Sequence, residues 1–584
     1  METTHPEPDS LLAIDVGSST TRAIFIDVVE GGYRFVAAGE SPTTLGAPVN
    51  DVSAGIRRAL DHLQEITGRS FLDVEGRLIV PSTNEASGVD AVVATFSAGE
   101  PLRVVAVGLL EDVSLQSAQN LIATTYARVE ETIGMNDRRK VEEKVDAILR
   151  VRPDLIVMAG GTDGGASKSV IRLLESIGLA CFLLPDNQRP HVLFAGNHNI
   201  AAEVTADLAG FTQIRSAPNI RPSLEQERLS AAQGVLRELV RDIRVKQNPG
   251  LQELNSWVSG RLMPTTQGFA RVIRFFSRYY GSQKGVLGVD LGAGSTTVVS
   301  AFSGETNHRV YLDLGMGTSL SNVLHHTSIP NIARWLDQEM AESDIRAYIL
   351  HKTIYPASLP ITREELSLEQ ALAREILRAA LKEARKRFPP HAPRSRPDLL
   401  PWFEPIVASG SVLTNAPSCG QSLLMLLDGL QPNGITTIVL DRHNLLPSIG
   451  AAAEVNPTLA VQIFDTGAFV NLGTVITPIG KAKPGTPILR IRVTDESGEV
   501  NKLEIPYGSL KKIPLPVGRA AKLRLQPLHR FDIGMGGAGR GGELNIKGGQ
   551  LGIIVDARGR PLQLPAKPGQ RRQMLRKWQR TLER

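Results

Sequence analysis

Two short stretches of the chain combine residue types that can bind a phosphate group. Residues 11–27 (LLAIDVGSSTTRAIFID) and 285–299 (GVLGVDLGAGSTTVV) each run from apolar residues into Asp and then into Gly, Ser and Thr. A turn of this composition directs successive backbone N–H groups and hydroxyls toward one point, which suits a phosphate. A carboxylate would be repelled by that phosphate, so we expect Asp15 and Asp290 to hold Mg²⁺, through water, that bridges to the phosphate oxygens.

The repetition of this turn is more informative than either copy, because a single strand-Asp-Gly turn is common in hairpins. Each copy is followed by a second β-rich run, so the sequence predicts two related half-domains that hold one nucleoside triphosphate from both sides. The expected nucleotide contacts are Asp15, Gly17, Ser18, Ser19 and Thr20 in the first turn and Asp290, Gly292, Ala293, Gly294, Ser295 and Thr296 in the second. A third turn, Gly410-Ser411, follows the strand-like run PIVAS. Its small residues would let the backbone approach a flat adenine ring.

The periodicity around these turns predicts the elements that position them. The first 70 residues predict three strands and a helix, and residues 77–210 alternate strands with helices, which favours a mostly parallel sheet. Within that range, apolar spacing from Leu115 to Val129 predicts a helix, and ACFLLP (180–185) is interpreted as a strand. Residues 223–280 are expected to be mainly helical.

Downstream of the second turn, a long helix is expected from Ser367 until the Pro389-Pro390 pair stops it. Beyond residue 456, short β-rich runs with Gly and Asp turns predict an all-β domain. The chain ends in RRQMLRKWQRTLER, which is expected to form a helix with a solvated basic face. Residues 511–584 carry 17 Lys/Arg against 4 Asp/Glu, while the net charge of the whole chain is +5. The basic character therefore belongs to the C-terminal region.

Composition excludes several classes of protein. The two cysteines, Cys181 and Cys419, cannot form a disulfide framework and fit a reducing compartment. The N-terminal segment lacks the basic and apolar regions of a signal peptide, and no apolar run approaches the ~20 residues of a membrane helix. We therefore expect a cytoplasmic protein without a membrane partner. The basic tail has few aromatic residues for base stacking, so no nucleic-acid partner is expected.

The order of the elements resembles the actin, sugar-kinase and heat-shock ATPase superfamily. The resemblance covers residues 11 to about 455 and implies a two-lobed α/β actin-like, ribonuclease H-like ATPase fold that binds ATP or ADP with Mg²⁺. The C-terminal all-β domain would be an addition to that fold. The expected domains are a first lobe at 1–280, with an α/β segment at about 77–210 and a helical segment at about 223–280, a second lobe at 281–455, and a β-rich domain at 456–584.

Four further stretches narrow the resemblance to one family. They are DLIVMAGGTDGGASKSVI (154–171), FAGNHNIAAEVT (194–205), YLDLGMGTSL (311–320) and VASGSVL (407–413). Together with the twin turns they resemble the glutamate mutase L family (MutL or GlmL), which is unrelated to the mismatch-repair protein of the same name. The resemblance implies an ATP-dependent accessory or reactivating, chaperone-like protein for an adenosylcobalamin-dependent mutase, with glutamate mutase as partner and ATP hydrolysis as a possible activity.

Asp163 is the candidate catalytic residue. It follows the strand DLIVMAG, and α/β sheets place their ligands at the carboxyl ends of strands, so Asp163 could position a water or the metal. The alternative is a helix cap or turn residue, for which Asp is equally suited. A small-molecule kinase of the same superfamily is the second functional hypothesis, with Asp163 or Asp313 as base. A filament or scaffold protein is the third.

Three other stretches approach known cofactor- or nucleotide-binding motifs but lack residues or flanking structure that those motifs require. DRHNLL (441–446) approaches the corrin-binding pattern D-x-H-x-x-G, but Leu446 stands where Gly is needed, so Asp441 and His443 are interpreted as a loop and no directly bound cobalamin is expected. GMGGAG (534–539) is not followed by a helical pattern, which a dinucleotide site requires. The glycines of 473–482 are too far apart for a Walker loop.

Overall fold

The computed structural model describes residues 8–280 and 283–583. Residues 1–7, which begin the segment in which no signal peptide is expected, lie outside the described residues. Contacts within the chain divide it into two compact units. The first comprises Met1–Pro42, Arg58–Val93 and Gln267–Arg584, and the second comprises Thr43–Arg57 and Ala94–Thr266.

The secondary structure is mixed α/β throughout. The strands are β1 (Ser10–Val16), β2 (Thr20–Val29), β3 (Gly32–Pro42), β4 (Ala91–Phe96), β5 (Leu102–Val107), β6 (Ala127–Ile133), β7 (Leu155–Met158), β8 (His191–Phe194), β9 (Ile214–Ser216), β10 (Met263–Pro264), β11 (Gly285–Leu291), β12 (Thr296–Phe302), β13 (Glu305–Tyr311), β14 (Phe403–Ser409), β15 (Gly434–Leu440), β16 (Val470–Thr477), β17 (Pro487–Asp495), β18 (Val500–Pro506), β19 (Leu510–Ile513), β20 (Ala520–Pro527), β21 (Gly542–Lys547) and β22 (Ile553–Asp556). The helices are α1 (Ser53–Thr67), α2 (Gln116–Ile122), α3 (Val141–Val151), α4 (Ser167–Leu183), α5 (Ala201–Ala209), α6 (Ser230–Gln247), α7 (Pro249–Trp257), α8 (Thr265–Tyr279), α9 (Ile329–Ala333), α10 (Glu342–Ile354), α11 (Arg363–Ala384), α12 (Ser411–Thr414), α13 (Cys419–Leu430), α14 (Leu446–Ala452), α15 (Pro457–Phe464) and α16 (Pro568–Glu583).

The first unit contains the same strand order twice. In one sheet the order is β3-β2-β1-β4, and β10 of the second unit pairs in parallel with the final residues of β4, Thr95 and Phe96. In the other sheet the order begins β13-β12-β11-β14-β15. In both, the first strand is antiparallel to the second and the second to the third. This duplicated order is the actin-like, ribonuclease H-like fold expected from the sequence.

A large apolar core covers one face of the second sheet. Strand β11 is almost entirely buried because it lies between β12 and β14. Helix α11 begins with a capping box formed by Thr362 and Glu365, which satisfies backbone N–H groups that the helix leaves unpaired. Side chains of α11 and α13 then pack with those of β11 and β14. The core thus fixes the ends of β11 and β14, where two of the three predicted turns lie.

The second unit contains a five-stranded sheet of order β6-β5-β7-β8-β9, in which every pair is parallel. The predicted alternation of strands and helices is confirmed there, with two local corrections. The helix expected from Leu115 to Val129 ends at Ile122, and β6 follows at Ala127–Ile133. Pairing with β5 and the β-branched residues of β6 outweigh the helical spacing.

The second correction concerns residues 180–185, which were interpreted as a strand. Residues 180–183 form the last turn of α4, where Ala180 and Cys181 are buried at helical spacing behind Ile177. The helix stops at Leu184, which is extended, with φ −79° and ψ 142°. Pro185 explains the stop, since a proline disfavours helical geometry in the residue before it.

The C-terminal region contains the expected β domain as a four-stranded antiparallel sheet of order β18-β17-β20-β21. Strand β20 alternates buried and exposed residues, as expected for a sheet with one solvated face. Three further strands, β16, β22 and β19, continue the eight-stranded sheet beyond β15. The helix expected at the C-terminus is confirmed as α16. This helix is not solvated all round, because its apolar residues Leu575, Trp578 and Leu582 are buried.

Within the described residues, no helix has both the length and the apolar character needed to span a bilayer.

Candidate phosphate-binding site

The two turns predicted from the sequence have the same backbone geometry. Gly17 N donates to Thr20 O at 3.0 Å, and Gly292 N donates to Ser295 O at 3.0 Å. A Cβ atom on Gly17 would lie 2.7 Å from Thr20 O, and one on Gly292 would lie 2.9 Å from Ser295 O. Both turns therefore require glycine at this position, and the repeat in the sequence is also a repeat in three dimensions.

The two turns also lie side by side within the first unit. A Cβ atom on Gly294 would approach Ser18 Oγ to 3.0 Å, so the second turn contacts the first at its tip. The hairpins have equivalent registers, with Asp15 opposite Arg22 and Asp290 opposite Thr297. The structure therefore brings the two predicted turns together. The hairpins differ in that Arg22 lies opposite the aspartate of the first, whereas Thr297 lies opposite that of the second.

A third segment, residues 315–319, packs on the second turn. Met316 N donates to Gly292 O at 2.9 Å, and Gly317 N donates to Ala293 O at 2.8 Å. The hydroxyl of Ser319 is buried and has no hydrogen-bond partner among the described residues. A buried hydroxyl without a partner is costly, so a polar ligand at this position would satisfy it.

The predicted adenosine turn lies beside Asp290. Strand β14 is parallel to β11, and its last residue, Ser409, is in register with Asp290. Gly410 has φ +112°, and a Cβ there would lie 2.2 Å from Leu291 O, so only glycine fits. Asn444 Oδ1 fixes this turn by accepting from Ser409 Oγ at 2.8 Å and from Gly410 N at 3.0 Å.

Carboxylates concentrate at the ends of β1, β11 and β15. Burial, and then the nearby charges of Asp15 and Asp441, raise the pKa of Asp290 to about 7. Burial also raises the pKa of Asp441 to about 6, although its carboxylate accepts from Leu445 N and Leu446 N, both at 2.8 Å. The positive charge of Arg22 opposes both shifts. This excess of negative charge favours a cation at the site.

The described residues contain no group of three or more His, Cys, Asp or Glu side chains placed to hold a metal ion alone. The carboxylates of Asp15 and Asp290 beside two glycine turns fit Mg²⁺, which usually keeps several waters and binds through one or two carboxylates together with phosphate oxygens. Asp15 and Asp290 are the residues that would hold it. The glycine turns and the hydroxyl of Ser319 would face the phosphates.

Sequence reasoning missed the residues that connect these turns. Arg22 donates from Nε to Glu40 Oε1 at 2.7 Å and from Nη2 to Ser411 Oγ at 3.4 Å. It therefore links the first hairpin to the adenosine turn. Its place opposite Asp15 could have been found by pairing the two strands in register. Asp441 does lie in a loop after β15, as expected, but its carboxylate also accepts from the backbone N–H groups of Leu445 and Leu446 where α14 begins, beside the predicted site.

Asp163 lies in the second unit, in the loop between β7 and α4. Its Oδ1 accepts from Asn219 Nδ2 at 2.9 Å and from His198 N at 3.1 Å. Asp163 does not cap α4, whose N-cap is Ala166. Of the two structural roles considered for it, helix cap and turn residue, only the turn residue agrees with its position. Asp313, the other candidate base, accepts from Asn322 Nδ2 at 3.2 Å in the first unit. The catalytic role of Asp163 stays a prediction.

The raised pKa of Asp290 predicts that Asp290→Asn stabilises the nucleotide-free protein. An unfolded Asp ionises near its ordinary pKa of 3.8, but the folded side chain holds its proton until about pH 7. The wild type therefore loses stability as pH rises between these values. Asn cannot ionise, so at pH 8 the variant should gain on the order of 1–3 kcal/mol in unfolding free energy.

Denaturant unfolding at pH 4 and pH 8 measures this difference. The gain should be near zero at pH 4 and appear at pH 8. Asp61→Asn, at an exposed position of α1, is the matched control and should change stability little at either pH. A variant of Asp290 that is less stable than the wild type at pH 8 would contradict a pKa of Asp290 raised by burial and by the neighbouring carboxylates.

The duplicated sheet order, with a glycine turn after the first strand of each copy, defines an actin-like ATPase fold. Within that class, the chain belongs to the MutL protein family, whose family model matches residues 11–467. The resemblance to the glutamate mutase L family is thereby confirmed. One relative is Protein MutL of Clostridium tetanomorphum, which is 23% identical over 386 residues, covering 63% of this chain and 76% of that protein.

Solved structures show only distant similarity. The nucleotide-free structure of acetone carboxylase aligns with a TM-score of 0.33 and 11% identity over 86% of this chain and 81% of that chain. Component A of (R)-2-hydroxyglutaryl-CoA dehydratase from Acidaminococcus fermentans aligns with a TM-score of 0.26 and 11% identity over 77% of this chain and 99% of that chain. Similarity at this level does not bear on substrate or activity.

Proposed function

We propose that this protein is an ATP-dependent accessory protein that reactivates an adenosylcobalamin-dependent mutase, with glutamate mutase as the expected partner. The observation that carries the nucleotide part is the pair of matched glycine turns that meet at Gly294 and Ser18. Membership of the MutL family, together with the mutase link that the sequence resemblance implies, supports the partner.

In this proposal, the phosphates of ATP bind to the backbone N–H groups of the two turns. Asp15 and Asp290 hold Mg²⁺ through water, and the adenosine lies against Gly410 and Ser411. The Mg²⁺ ion neutralises part of the phosphate charge, which would otherwise be repelled by the nearby carboxylates. A cation bound beside Asp290 would favour its ionised form and so oppose the raised pKa of this side chain.

We expect the nucleotide to change how the two halves of the first unit are arranged, because each half contributes one of the two turns. A triphosphate that contacts both turns stabilises one arrangement of the halves, and loss of the terminal phosphate removes part of that stabilisation. A ligand shifts a conformational equilibrium only by its difference in affinity for the two states. ATP and ADP would therefore favour different arrangements, and a bound mutase would respond to the change.

The test combines a binding and a rescue experiment. Purified protein should gain thermal stability with Mg-ATP, and it should be recovered together with a tagged glutamate mutase subunit. Mutase inactivated by a damaged cobalamin should regain activity when this protein, Mg-ATP and fresh adenosylcobalamin are added. The Asp290→Ala variant is the control and should give no rescue.

Separate outcomes would contradict separate parts of the proposal. Absence of nucleotide-dependent stabilisation would contradict the phosphate site, whereas stabilisation without recovery of a mutase subunit would contradict the partner. Transfer of the terminal phosphate to a metabolite, instead of its release into water, would identify the kinase alternative.

A further inference from the structure

An open groove in the first unit has six basic residues among the ten residues that line it, and the other four are uncharged. Its volume is about 1020 Å³. The charged residues that line it are Lys511 and Lys512 of β19 and Arg572, Arg576, Lys577 and Arg580 of α16. No acidic residue is among the groove-lining residues of the described chain. Clustered cations of this kind raise the local potential and attract anions.

The basic face of α16 is held in place by the opposite face of the helix. Leu575, Trp578 and Leu582 are buried, and the guanidinium of Arg558 lies 4.5 Å from the centroid of the Trp578 ring. Leu582 also contacts α13, since a Cβ atom on Gly420 would lie 2.7 Å from Leu582 O. The arginines are therefore presented by a docked helix, at a spacing of four residues, or about 6 Å per step.

The other wall of the groove is the edge of a sheet. Strand β19 is the last strand of the eight-stranded sheet and pairs with β22 on its inner side. Consecutive residues of a strand point to opposite faces. The groove is lined by both Lys511 and Lys512, so it includes residues of both faces of β19, and the outer edge of this strand pairs with no other strand of the described residues. An open edge can accept an extended polypeptide as an additional strand.

The chemistry of the groove favours carboxylates over nucleic acid. At its rim, Arg572 Nη2 lies 3.2 Å from Glu339 Oε2, and Arg576 Nε lies 3.6 Å from Asp337 Oδ2, so two of its arginines already bind carboxylates of the chain. None of the described lining residues is aromatic, so the groove has no surface on which bases could stack. Lysines on an edge strand also repel a basic strand, which favours an acidic one.

We propose that this groove binds an acidic segment of a partner polypeptide, which lies along the edge of β19 and opposite the basic face of α16. The partner's carboxylates pair with Lys577, Arg580 and the two lysines of β19. This surface contains none of the residues assigned to the nucleotide, so it goes beyond the proposed function and can be tested independently.

The test uses the full-length protein and a fluorescein-labelled peptide of about twelve residues in which Glu alternates with Thr. Fluorescence anisotropy should show saturable binding to the wild type. The double variant Lys577→Glu/Arg580→Glu changes two exposed residues of the groove and should weaken binding at least ten-fold. The matched control, Lys481→Glu/Lys483→Glu, makes the same change of charge at exposed residues outside the groove and should stay within about two-fold.

Other ligands, measured in the same way, distinguish an acidic peptide from the alternatives. A peptide in which Lys alternates with Thr should not bind. Absence of binding of the acidic peptide to the wild type, or equal losses in the two double variants, would overturn the proposal. Tighter binding of a single-stranded oligonucleotide or of inorganic polyphosphate than of the peptide would overturn it in favour of a phosphate polymer. Thermal melting and stabilisation by Mg-ATP should be unchanged in the groove variant, which separates this test from that of the nucleotide site.

Discussion

Replacing either Asp15 or Asp290 with alanine should abolish Mg-dependent nucleotide binding. Each carboxylate belongs to the penultimate residue of the first strand of one half, and each strand leads into a turn with the same Gly-to-carbonyl hydrogen bond. If the metal bridges both halves to one set of phosphates, removal of one carboxylate leaves an incomplete coordination shell. We expect the affinity for Mg-ATP to fall at least a hundred-fold, which corresponds to about 2.7 kcal/mol.

Isothermal titration with Mg-ADP and a non-hydrolysable ATP analogue measures this loss. Because Asp15 is buried, with 5% of its surface exposed, Asp15→Asn should be compared with Asp15→Ala to separate lost charge from lost packing. Asp163→Ala is the matched control, since its contacts lie in the second unit. It should keep nucleotide affinity, and a selective loss of hydrolysis would support its predicted catalytic role.

A result in which only one of the two aspartates matters would contradict the two-sided arrangement. The second turn would then be a structural copy that supports the fold without contacting the metal. Melting of each variant at or above the wild-type temperature in the absence of nucleotide establishes that lost binding does not come from unfolding.

The sequence predicted the backbone turns of the candidate site, because the residues of each turn are contiguous. Each turn is specified by a few neighbouring positions. At Gly17 and Gly292 a side chain would clash with the carbonyl oxygen three residues later. The duplicated sheet order followed from these turns and the flanking apolar strands. Gly410 is likewise visible as a small residue after a buried strand, and its positive φ adds a backbone reason for glycine that the sequence alone does not show.

The remaining contacts join residues far apart in the chain, which local patterns do not encode. The bond between Arg22 and Ser411 spans 389 positions, and Asp441 was considered only as part of a failed corrin-binding pattern. The same limit explains the error at β6. The helical spacing from Leu115 to Val129 is genuine, but pairing with β5 decides the structure of Ala127–Ile133.

A buried network of charges joins β22, in the C-terminal part of the eight-stranded sheet, to helices that pack on the same sheet. Asp556, at the end of β22, accepts from Arg558 Nε at 2.8 Å and from Arg560 Nη2 at 2.7 Å. Arg558 Nη1 also donates to Asp428 Oδ1 of α13 at 2.8 Å, and Arg374 of α11 donates to Asp428 Oδ2 at 2.9 Å. The network therefore connects β22 to two helices of the main core.

Replacing Asp556 with alanine should destabilise the protein by about 3–5 kcal/mol, because it leaves Arg558 and Arg560 as buried cations without their principal partner. Both arginine side chains are at most 1% exposed. Arg490→Ala is the control, since it removes an ion pair with Glu504 whose side chains are 55% and 51% exposed. Exposed pairs contribute about 0–1 kcal/mol, so its effect should be much smaller in the same denaturant unfolding experiment.

The pH dependence of unfolding gives the same network an independent test. Burial alone would raise the pKa of Asp556, but the charges of Arg558 and Arg560 outweigh burial and hold the pKa well below its usual range. The stabilisation from this carboxylate should therefore be complete above about pH 5 and decline as the pH falls below the ordinary Asp pKa of 3.8. Asp556→Ala removes this contribution, so the wild type should lose more stability than the variant between pH 5 and pH 3. Parallel losses of stability in the two proteins would show that the network does not hold β22 to the core. An effect of Asp556→Ala no larger than that of Arg490→Ala would show the same.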